Sequence, residues 1–218
     1  MDDKVRDESE DGRAGRYWED HYRARERVWS GKPNPVLVDV VEALPVGTAL
    51  DLGCGEGGDA VWLAELGWRV TAVDVSDTAL DRAAAAATAA GVGNLIDFQR
   101  HDLSRTFPAG TFDVVSAQYL QSPVELPRDL IFRAATRAVA PGGLLLLVEH
   151  GSVRPGARNH ALSPDPEETL ASLDLSPVQW RTERLGSPER RATGPNGQPV
   201  TVTDNVVAIR RSPQRENL

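Results

Sequence analysis

Residues 48–74 read TALDLGCGEGGDAVWLAELGWRVTAVD, and this stretch decides the fold of the chain. The apolar residues 48–52 predict a buried strand, and the apolar positions of residues 60–66 recur with the spacing of a helix. Gly67 predicts the end of that helix, and residues 68–73 predict a second strand that leads to Asp74. Four glycines connect the first strand to the helix: Gly53, Gly55, Gly57 and Gly58. The stretch therefore predicts a strand, a glycine turn, a helix and a second strand in direct succession.

The glycine turn is suited to holding a ligand. Glycines allow a tight turn and let a ligand lie against bare backbone. The helix that follows directs its free N–H groups and the positive end of its dipole at the same place. Asp74 follows the neighbouring strand, at the edge where open parallel sheets bind ligands, and its carboxylate can accept two hydrogen bonds from a ribose. The unit therefore predicts a site for a cofactor that contains a nucleoside.

Two cofactors are compatible with the spacing of the glycines. Gly53, Gly55 and Gly58, with Asp74 about 20 residues further on, fit the dinucleotide-binding fingerprint. However, Asp51 lies at the end of the first strand, where its carboxylate would repel a pyrophosphate and attract an ammonium group. S-adenosylmethionine has a ribose, an ammonium group and no phosphate. The pair Asp51 and Asp74 therefore favours S-adenosylmethionine over NAD.

The segment Asp51-Leu-Gly-Cys-Gly-Glu-Gly resembles the first motif of the class I S-adenosylmethionine-dependent methyltransferases, and Asp74 matches the acid after their second strand. This resemblance implies a Rossmann-like, doubly wound α/β fold with helices on both faces of a seven-stranded sheet. That sheet is expected to be mostly parallel, with an antiparallel last strand. The resemblance also implies S-adenosylmethionine as the cofactor and S-adenosylhomocysteine as the product. Beside the two acids, four residues are expected to contact the cofactor: Gly53, Cys54, Gly55 and Val75.

Polar residues also follow the later predicted strands. The resemblance implies that Asp102, after the third strand, bonds the adenine amine while Leu103 covers the ring; a turn aspartate without a ligand is the alternative. Gln118, after the fourth strand, is expected to orient cofactor or substrate, or else is an ordinary polar strand end. Val139-Ala-Pro-Gly-Gly resembles the family signature that precedes the fifth strand. His150 leaves that strand on the ligand side and is a candidate catalytic base or substrate contact, with a solvent-facing histidine as the alternative.

Residues 17–30 are rich in aromatic side chains at helical spacing. An aromatic helix ahead of the first strand either caps the edge of the sheet or closes over the site, where its ring faces would stabilise a sulfonium cation. The stretch resembles the opening of the small-molecule methyltransferases of the tellurite-resistance and thiopurine type, in which this segment closes over cofactor and substrate. Tyr22 and Trp29 are therefore expected to line the cofactor site.

A second resemblance to the tellurite-resistance methyltransferases lies in residues 189–197, which begin Glu189-Arg190-Arg191. In that group an arginine at this place faces the active site, so Arg191 is a candidate catalytic residue. Arg190 is the alternative for the same place, and a solvated arginine in a hairpin is the alternative for both.

The chain has 218 residues, a formal net charge of −8 and a pI near 5.1. Nucleic-acid-binding domains are basic, so no nucleic-acid partner is expected, and the charge also disfavours anionic membranes. The single cysteine allows neither an internal disulfide nor a cysteine-based metal cluster, and no metal is expected. Residues 17–211 are expected to form a single domain, with residues 17–45 as lid and cap and mobile tails at residues 1–16 and 212–218. We expect a cytoplasmic monomer or homodimer.

These observations together favour an enzyme that methylates a small molecule. The acidic surface, the aromatic segment ahead of the first strand, and the lack of an Asn/Asp-Pro-Pro-Tyr pattern after the fourth strand disfavour nucleic-acid and protein substrates. The acceptor is expected to be a thiol or another chalcogen compound, a phenol or a heterocycle. Two alternatives remain: an NAD-dependent oxidoreductase, which the glycine spacing supports, and a non-catalytic S-adenosylmethionine-binding protein.

Overall fold

A computed structural model describes residues 12–151, 164–193 and 197–214 of the chain. The helices are α1 (Arg13–Arg23), α2 (Pro35–Val41), α3 (Gly58–Glu65), α4 (Asp77–Ala89), α5 (Arg128–Ala138) and α6 (Pro166–Ser172). The strands are β1 (Thr48–Leu52), β2 (Arg69–Asp74), β3 (Ile96–Arg100), β4 (Phe112–Gln118), β5 (Val139–His150), β6 (Trp180–Gly186), β7 (Glu189–Thr193) and β8 (Pro199–Arg211). The predicted succession of strand, glycine turn, helix and strand is thus confirmed as β1, α3 and β2.

The sheet has the order β3-β2-β1-β4-β5-β8-β6, and β7 pairs with β8. Strands β1 to β5 pair in parallel, while β8 lies antiparallel between β5 and β6. The predicted parallel sheet with an antiparallel last strand is therefore confirmed, with β7 as an additional eighth strand. Strand β7 continues along β8 where β6 ends. Pro188, which has no N–H to donate to the ladder, lies at the break between β6 and β7.

Helices cover both faces of the sheet, because side chains alternate between two apolar layers along each central strand. On β1, Ala49 contributes to the layer that contains α2, α3 and α4, whereas Leu50 and Leu52 contribute to the layer that contains α5 and α6. The run Leu144–Val148 on β5 is buried on both faces, as expected for a central parallel strand. The carboxyl ends of β1 to β5 meet at one edge of this sheet.

Two element boundaries differ from the predictions. Helix α1 begins at Arg13, inside the segment that was predicted to be a mobile tail; residues 1–11 and 215–218 of the predicted tails lie outside the described residues. Strand β5 begins at Val139, so Pro141-Gly142-Gly143 lies within it and not before it. The pairing of β4 with β5 changes register between Phe112 and Val114, and such a bulge accommodates the Pro-Gly-Gly segment.

Candidate functional site

A cavity of about 640 Å³ lies along the carboxyl edge of the sheet, beneath α1. This volume falls in the range of roughly 300–1,000 Å³ that is typical of small-molecule sites. The cavity has two ends. We call the side formed by the ends of β1, β2 and β3 the glycine end, and its lining includes Gly53, Cys54, Gly55, Asp74, Val75, Asp102 and Leu103. We call the side formed by the ends of β4 and β5 the histidine end, and its lining includes Tyr119, Leu120, Gln121, Ser122, Leu126 and His150.

At the glycine end, the turn after β1 exposes backbone that a side chain would cover. Gly55 has a φ of 54°, in the left-handed region that favours glycine. A Cβ atom on Gly55 would lie 2.9 Å from the Tyr22 hydroxyl oxygen and 3.1 Å from Trp29 Nε1. Trp29 Nε1 donates to the Tyr22 hydroxyl at 2.9 Å, so this aromatic pair lies directly against the turn. Both predicted aromatic residues therefore line the cavity.

Asp74 lies in the wall of the cavity with its carboxylate held by backbone donors. The Gly55 N–H donates to Oδ2 and the Ser76 N–H donates to Oδ1, both at 3.0 Å. Burial raises the pKa of Asp74, and these two N–H donors only partly offset that effect. The carboxylate is thus oriented and desolvated before any ligand is bound.

Asp51 lies beneath the cavity wall and carries an oxygen without a partner. Its side chain is 2% exposed, and Oδ2 accepts no hydrogen bond from the described residues. Gln118 Oε1 is likewise buried without a donor there, while Gln118 Nε2 donates to Ser116 Oγ at 2.9 Å. Asp51 is paired in register with Ser116, two residues before Gln118, so both orphaned acceptors belong to the same face of the sheet. Burial, followed by the nearby carboxylates of Asp59 and Asp74, raises the pKa of Asp51 well above its usual value.

Two buried acceptors without donors fit a ligand that brings N–H groups. An unsatisfied buried polar atom is destabilising, and a cationic N–H donor would satisfy both its hydrogen bonding and its charge. The ammonium group of S-adenosylmethionine has these properties. The residues present therefore fit the cofactor that the sequence favours: Gln118 and Asp74 line the cavity and would face its amino acid part and its ribose. Asp51 does not line the cavity, and from beneath the wall it would act on the ammonium group mainly through its charge.

Asp102 lines the cavity together with Leu103, as the sequence analysis expected. Its Oδ1 accepts hydrogen bonds from the Ser104 N–H at 3.1 Å and the Ser104 hydroxyl at 2.6 Å, which closes the turn after β3. Oδ2 has no such role in the turn and is the oxygen available to a ligand. Cys54 and Val75 also line the cavity.

Helix α1 crosses the cavity and is attached on both sides. Glu19 accepts hydrogen bonds from the Ser76 hydroxyl at 2.6 Å and from the Thr78 hydroxyl at 2.7 Å, next to the end of β2. Burial opposes ionisation of Glu19, but these bonds outweigh it and lower its pKa to about 2. On the other side, Trp18 Nε1 donates to Ser122 Oγ at 3.3 Å, at the histidine end. The helix therefore covers the cavity from one end to the other.

The segment after α1 is attached to the glycine turn itself. Glu56 accepts from the Val28 N–H at 3.0 Å and from the Trp29 N–H at 2.8 Å. Arg82 on α4 pairs with Glu56 at 2.8 Å and donates to the carbonyl oxygens of residues 22 and 25 at 3.2 Å and 2.7 Å. Burial works against ionisation of Glu56, but the Trp29 N–H and Arg82 dominate and lower its pKa. The covering segment and the glycine turn thus share one ion pair.

At the histidine end, Tyr119 and His150 form a stacked pair. Their ring centroids are 4.3 Å apart and the ring planes differ by 25°. Behind the stack, Arg190 Nη2 donates to the Tyr119 hydroxyl at 3.1 Å. Arg190 also forms a two-point ion pair with Asp204, whose side chain is 1% exposed. His150, a candidate catalytic residue from the sequence, therefore lies in the cavity wall, against an aromatic ring whose hydroxyl is held.

Arg191, the other candidate, does not line the cavity and is exposed. Successive side chains of a strand point to opposite faces, so on β7 only one of the two neighbouring arginines can point toward Tyr119. The register of β7 on β8 makes that residue Arg190. The choice of Arg191 was wrong, and the alternative, Arg190, takes its place behind the histidine end.

The sequence analysis missed several residues of the site. Trp18 lines the cavity one helical turn before Tyr22, and this spacing of four residues was a usable signal. Asp59 attaches the segment before α2 to α3: its carboxylate accepts from the Asn34 backbone N–H at 2.6 Å and from the Asn34 side chain at 2.7 Å. The position of Tyr119 directly after the fourth strand was a usable signal, but its φ of 55° was not predictable, because left-handed backbone is rare for a tyrosine.

Comparison with known proteins is consistent with this geometry. The family described as "Methyltransferase domain" matches residues 49–143. The 2-heptyl-1-hydroxyquinolin-4(1H)-one methyltransferase of Mycobacteroides abscessus is 33% identical over 164 residues, which are 69% of this chain and 71% of that protein. Probable thiol methyltransferase 2 of Arabidopsis thaliana is 35% identical over 101 residues, and the match spans 45% of each protein.

A solved structure from work on the conversion of a disulfide bond into a thioacetal group during echinomycin biosynthesis has the same fold. Its TM-score is 0.71 at 27% sequence identity, over 91% of this chain and 93% of that chain. In the described part of the chain, no helix combines the length and the apolar character needed to cross a membrane.

Proposed function

The chain belongs to the class I S-adenosylmethionine-dependent methyltransferases, and from this premise we propose that it methylates a thiol or a hydroxylated aromatic or heterocyclic small molecule. Membership of this family rules out the NAD-dependent alternative that the glycine spacing left open. The observation that carries the proposal is the juxtaposition of two orphaned acceptors, Asp51 Oδ2 and Gln118 Oε1, with an aromatic, histidine-bearing cavity end.

For the cofactor, we propose the following contacts. The ribose hydroxyls bind to the Asp74 carboxylate, and the adenine lies beside Asp102 and Leu103. The ammonium group would lie beside Gln118 Oε1 and near Asp51 Oδ2, two acceptors that receive no hydrogen bond from the described residues. When bound, S-adenosylmethionine supplies an electrophilic methyl group on a sulfonium, and S-adenosylhomocysteine remains after transfer.

The aromatic cover above the cavity is suited to a sulfonium cation. Trp18, Tyr22 and Trp29 all line the cavity, and the faces of aromatic rings attract cations. Their attachment through Glu19 and Glu56 keeps them over the site, so that they also exclude water. Since methyl transfer needs mainly alignment of the acceptor with the methyl group, such a closed cavity can supply roughly 7–11 kcal/mol of the barrier reduction.

For the acceptor, we propose the histidine end. Leu120 and Leu126 supply apolar walls there, while Gln121 and His150 supply polar atoms. A hydroxyl acceptor must lose its proton, and His150 is the group we propose to accept it; a thiol, which is more acidic, needs less help. A thiol and a hydroxyquinolinone are the acceptors for which two of the relatives are named.

The experiment that tests this function has two steps. Calorimetry should show binding of S-adenosylmethionine and S-adenosylhomocysteine and no binding of NADH. A screen of thiols, phenols and hydroxyquinolines should then find acceptors that release S-adenosylhomocysteine, with Asp74→Ala run in parallel to exclude a contaminating methyltransferase. Binding without transfer to any acceptor would favour the non-catalytic alternative, and transfer to RNA or protein alone would contradict the proposal.

We further propose that the protein works as a cytoplasmic monomer or homodimer without nucleic-acid or membrane partners. The net charge of −8 supports this, because it opposes binding to polyanionic surfaces. Light scattering after size-exclusion chromatography, with and without added RNA, is the direct measurement. A shift of the protein peak on addition of RNA would contradict the proposal.

A further inference from the structure

Tyr119, to which the proposed function gives no role, contacts both the His150 ring and the Arg190 side chain. We propose that Tyr119 is a positioning residue, which holds the His150 imidazole at the acceptor end of the cavity and is itself locked by the Arg190–Asp204 pair. The role in catalysis depends on the proposed function, whereas the geometry can be tested without it.

The contacts form one continuous chain from a buried charge to the cavity. Asp204 is nearly inaccessible, and its carboxylate receives two hydrogen bonds from the Arg190 guanidinium. The same guanidinium donates to the Tyr119 hydroxyl at 3.1 Å, and its carbon lies 5.9 Å from the centre of the Tyr119 ring. The Tyr119 ring in turn stacks on the His150 imidazole, with the two ring centroids 4.3 Å apart. A tilt of the tyrosine would break the hydrogen bond, and rotation of the imidazole would break the stack.

The backbone around the stack is also held in place. His150 and Asp204 lie directly opposite each other on β5 and β8, so the histidine and the buried acid share one rigid frame. The His150 N–H donates to Gln121 Oε1 at 3.2 Å, and the Tyr119 N–H donates to the Val148 carbonyl at 2.7 Å. The ends of β4 and β5 therefore cannot shift independently. This also fixes the position of the Tyr119 ring relative to the His150 ring.

The conformation of Tyr119 supports a function for its side chain. Its φ of 55° lies in the left-handed region, where most residues other than glycine are rare and which is a frequent feature of functional sites. Glycine would relieve this strain but would leave His150 without its stacking partner and Arg190 without its second acceptor. A tyrosine thus occupies a position where the backbone conformation alone favours glycine.

A double-mutant cycle separates positioning from mere packing. With an acceptor from the screen, Tyr119→Phe should lower kcat about tenfold with little change in acceptor KM, because the imidazole loses its alignment. In the His150→Gln background the same change should have an effect below about twofold, since there is no imidazole left to align. Equal losses in both backgrounds would overturn the proposal.

The two neighbouring arginines of β7 provide a matched control. Arg190→Ala should reproduce the Tyr119→Phe loss, and Arg190→Lys should restore part of it, since lysine retains a donor for the hydroxyl. Arg191→Ala, which changes an exposed side chain on the same strand, should leave kcat and KM unchanged. A loss with Arg191→Ala equal to that with Arg190→Ala would overturn the proposal.

A measurement that needs no turnover tests the geometry itself. The chain has four histidines, and the imidazole signals of His150 in an NMR spectrum can be identified by their loss in His150→Gln. Those signals should be displaced by the ring current of Tyr119 and should move toward ordinary positions in Tyr119→Leu, in the free protein as well as with S-adenosylhomocysteine. Unchanged His150 signals in Tyr119→Leu would refute the stack. Failure of S-adenosylhomocysteine to bind would instead refute the proposed function. The His150 signals of the free protein would still test whether Tyr119 and His150 are stacked.

Discussion

Buried carboxylates occur at both ends of the cavity, but their partners differ. At the glycine end, Asp59 and Asp74 receive only neutral hydrogen-bond donors, and Asp51 Oδ2 receives none from the described residues. Within the described ranges no lysine or arginine reaches these three carboxylates at ion-pair distance. Burial raises the pKa of all three. Near the histidine end, but outside the cavity lining, Glu149 and Asp204 each form a two-point pair with an arginine, Arg128 and Arg190 respectively.

This difference indicates that the carboxylates at the glycine end serve ligand binding, whereas those near the histidine end stabilise the fold. A buried carboxylate without a cation is destabilising, and a cationic ligand relieves that destabilisation when it binds. The glycine end is therefore built to receive positive charge, as a sulfonium with an ammonium group provides. The paired carboxylates at the histidine end have their charge already neutralised, and they hold strand ends and side chains in position. Four substitutions can break or sharpen this comparison.

The largest effect is expected from Arg128→Ala at the histidine end. It would remove both guanidinium hydrogen bonds from the Glu149 carboxylate, whose side chain is 3% exposed, and should lower the free energy of unfolding by about 3–5 kcal/mol. Urea unfolding measures this. Arg137→Ala, an exposed arginine on the same helix, is the control and should change it by less than about 0.5 kcal/mol. If Arg128→Ala lowered the free energy of unfolding no more than Arg137→Ala does, the Arg128–Glu149 pair would not stabilise the fold.

Asp74→Ala at the glycine end should act on binding. Loss of a charged acceptor for the ribose hydroxyls should weaken S-adenosylhomocysteine by about 3 kcal/mol, roughly a hundredfold in Kd. Calorimetry measures this loss. Asp77→Ala, three residues further on and 61% exposed, is the matched control and should bind normally. Equal affinity of the two variants would remove Asp74 from the cofactor site.

Asp51→Asn should have opposite effects on stability and on binding. Because the folded-state pKa of Asp51 lies above its unfolded value, the charge destabilises the fold as the pH rises above about 4, so the variant should gain about 1 kcal/mol at pH 7. Without the charge, the ammonium group loses its partner, and cofactor affinity should fall about tenfold. Denaturant melts and calorimetry measure the two effects, and a variant that was both less stable and unchanged in binding would contradict the comparison.

The same residue predicts that cofactor binding releases protons. An ammonium group beside Asp51 favours its ionised form, so affinity should rise with pH up to the raised pKa of the free protein. Calorimetry in buffers of different ionisation enthalpy should detect this release in the natural protein and its absence in Asp51→Asn.

The smallest effect is expected from Glu19→Gln on α1. The folded-state pKa of about 2 lies below the unfolded value of 4.5, so its contribution is fully present above pH 4.5 and is lost as the pH falls toward 2. At pH 7 the variant should lose about 1 kcal/mol, since the carboxylate is partly exposed, and the difference from the natural protein should vanish near pH 2. A constant difference across this range would mean that the carboxylate charge does not attach the helix.

The glycine end was largely predictable because its structure is local. Strand β1, the turn and β2 follow one another within 27 residues, so Gly53, Gly55 and Asp74 could be assigned from spacing alone. At the histidine end the sequence named His150, and Arg190 only as an alternative, because Tyr119, His150 and Arg190 come from segments far apart in the chain. Their contacts depend on which strands are neighbours and in which register, and residue types alone carry no such information.

What the sequence by itself determined is the fold class, a preference for S-adenosylmethionine over NAD, and most of the residues at the glycine end, since each follows from short motifs or from the family resemblance they carry. It also indicated an aromatic segment over the site, although not that Trp18, Glu19 and Glu56 attach it. Only the tertiary structure decided that β7 pairs beside β6 and that Arg190, not Arg191, points to the site. A strand reverses every side chain when its register shifts by one residue, and the register of β7 on β8 is set by long-range packing.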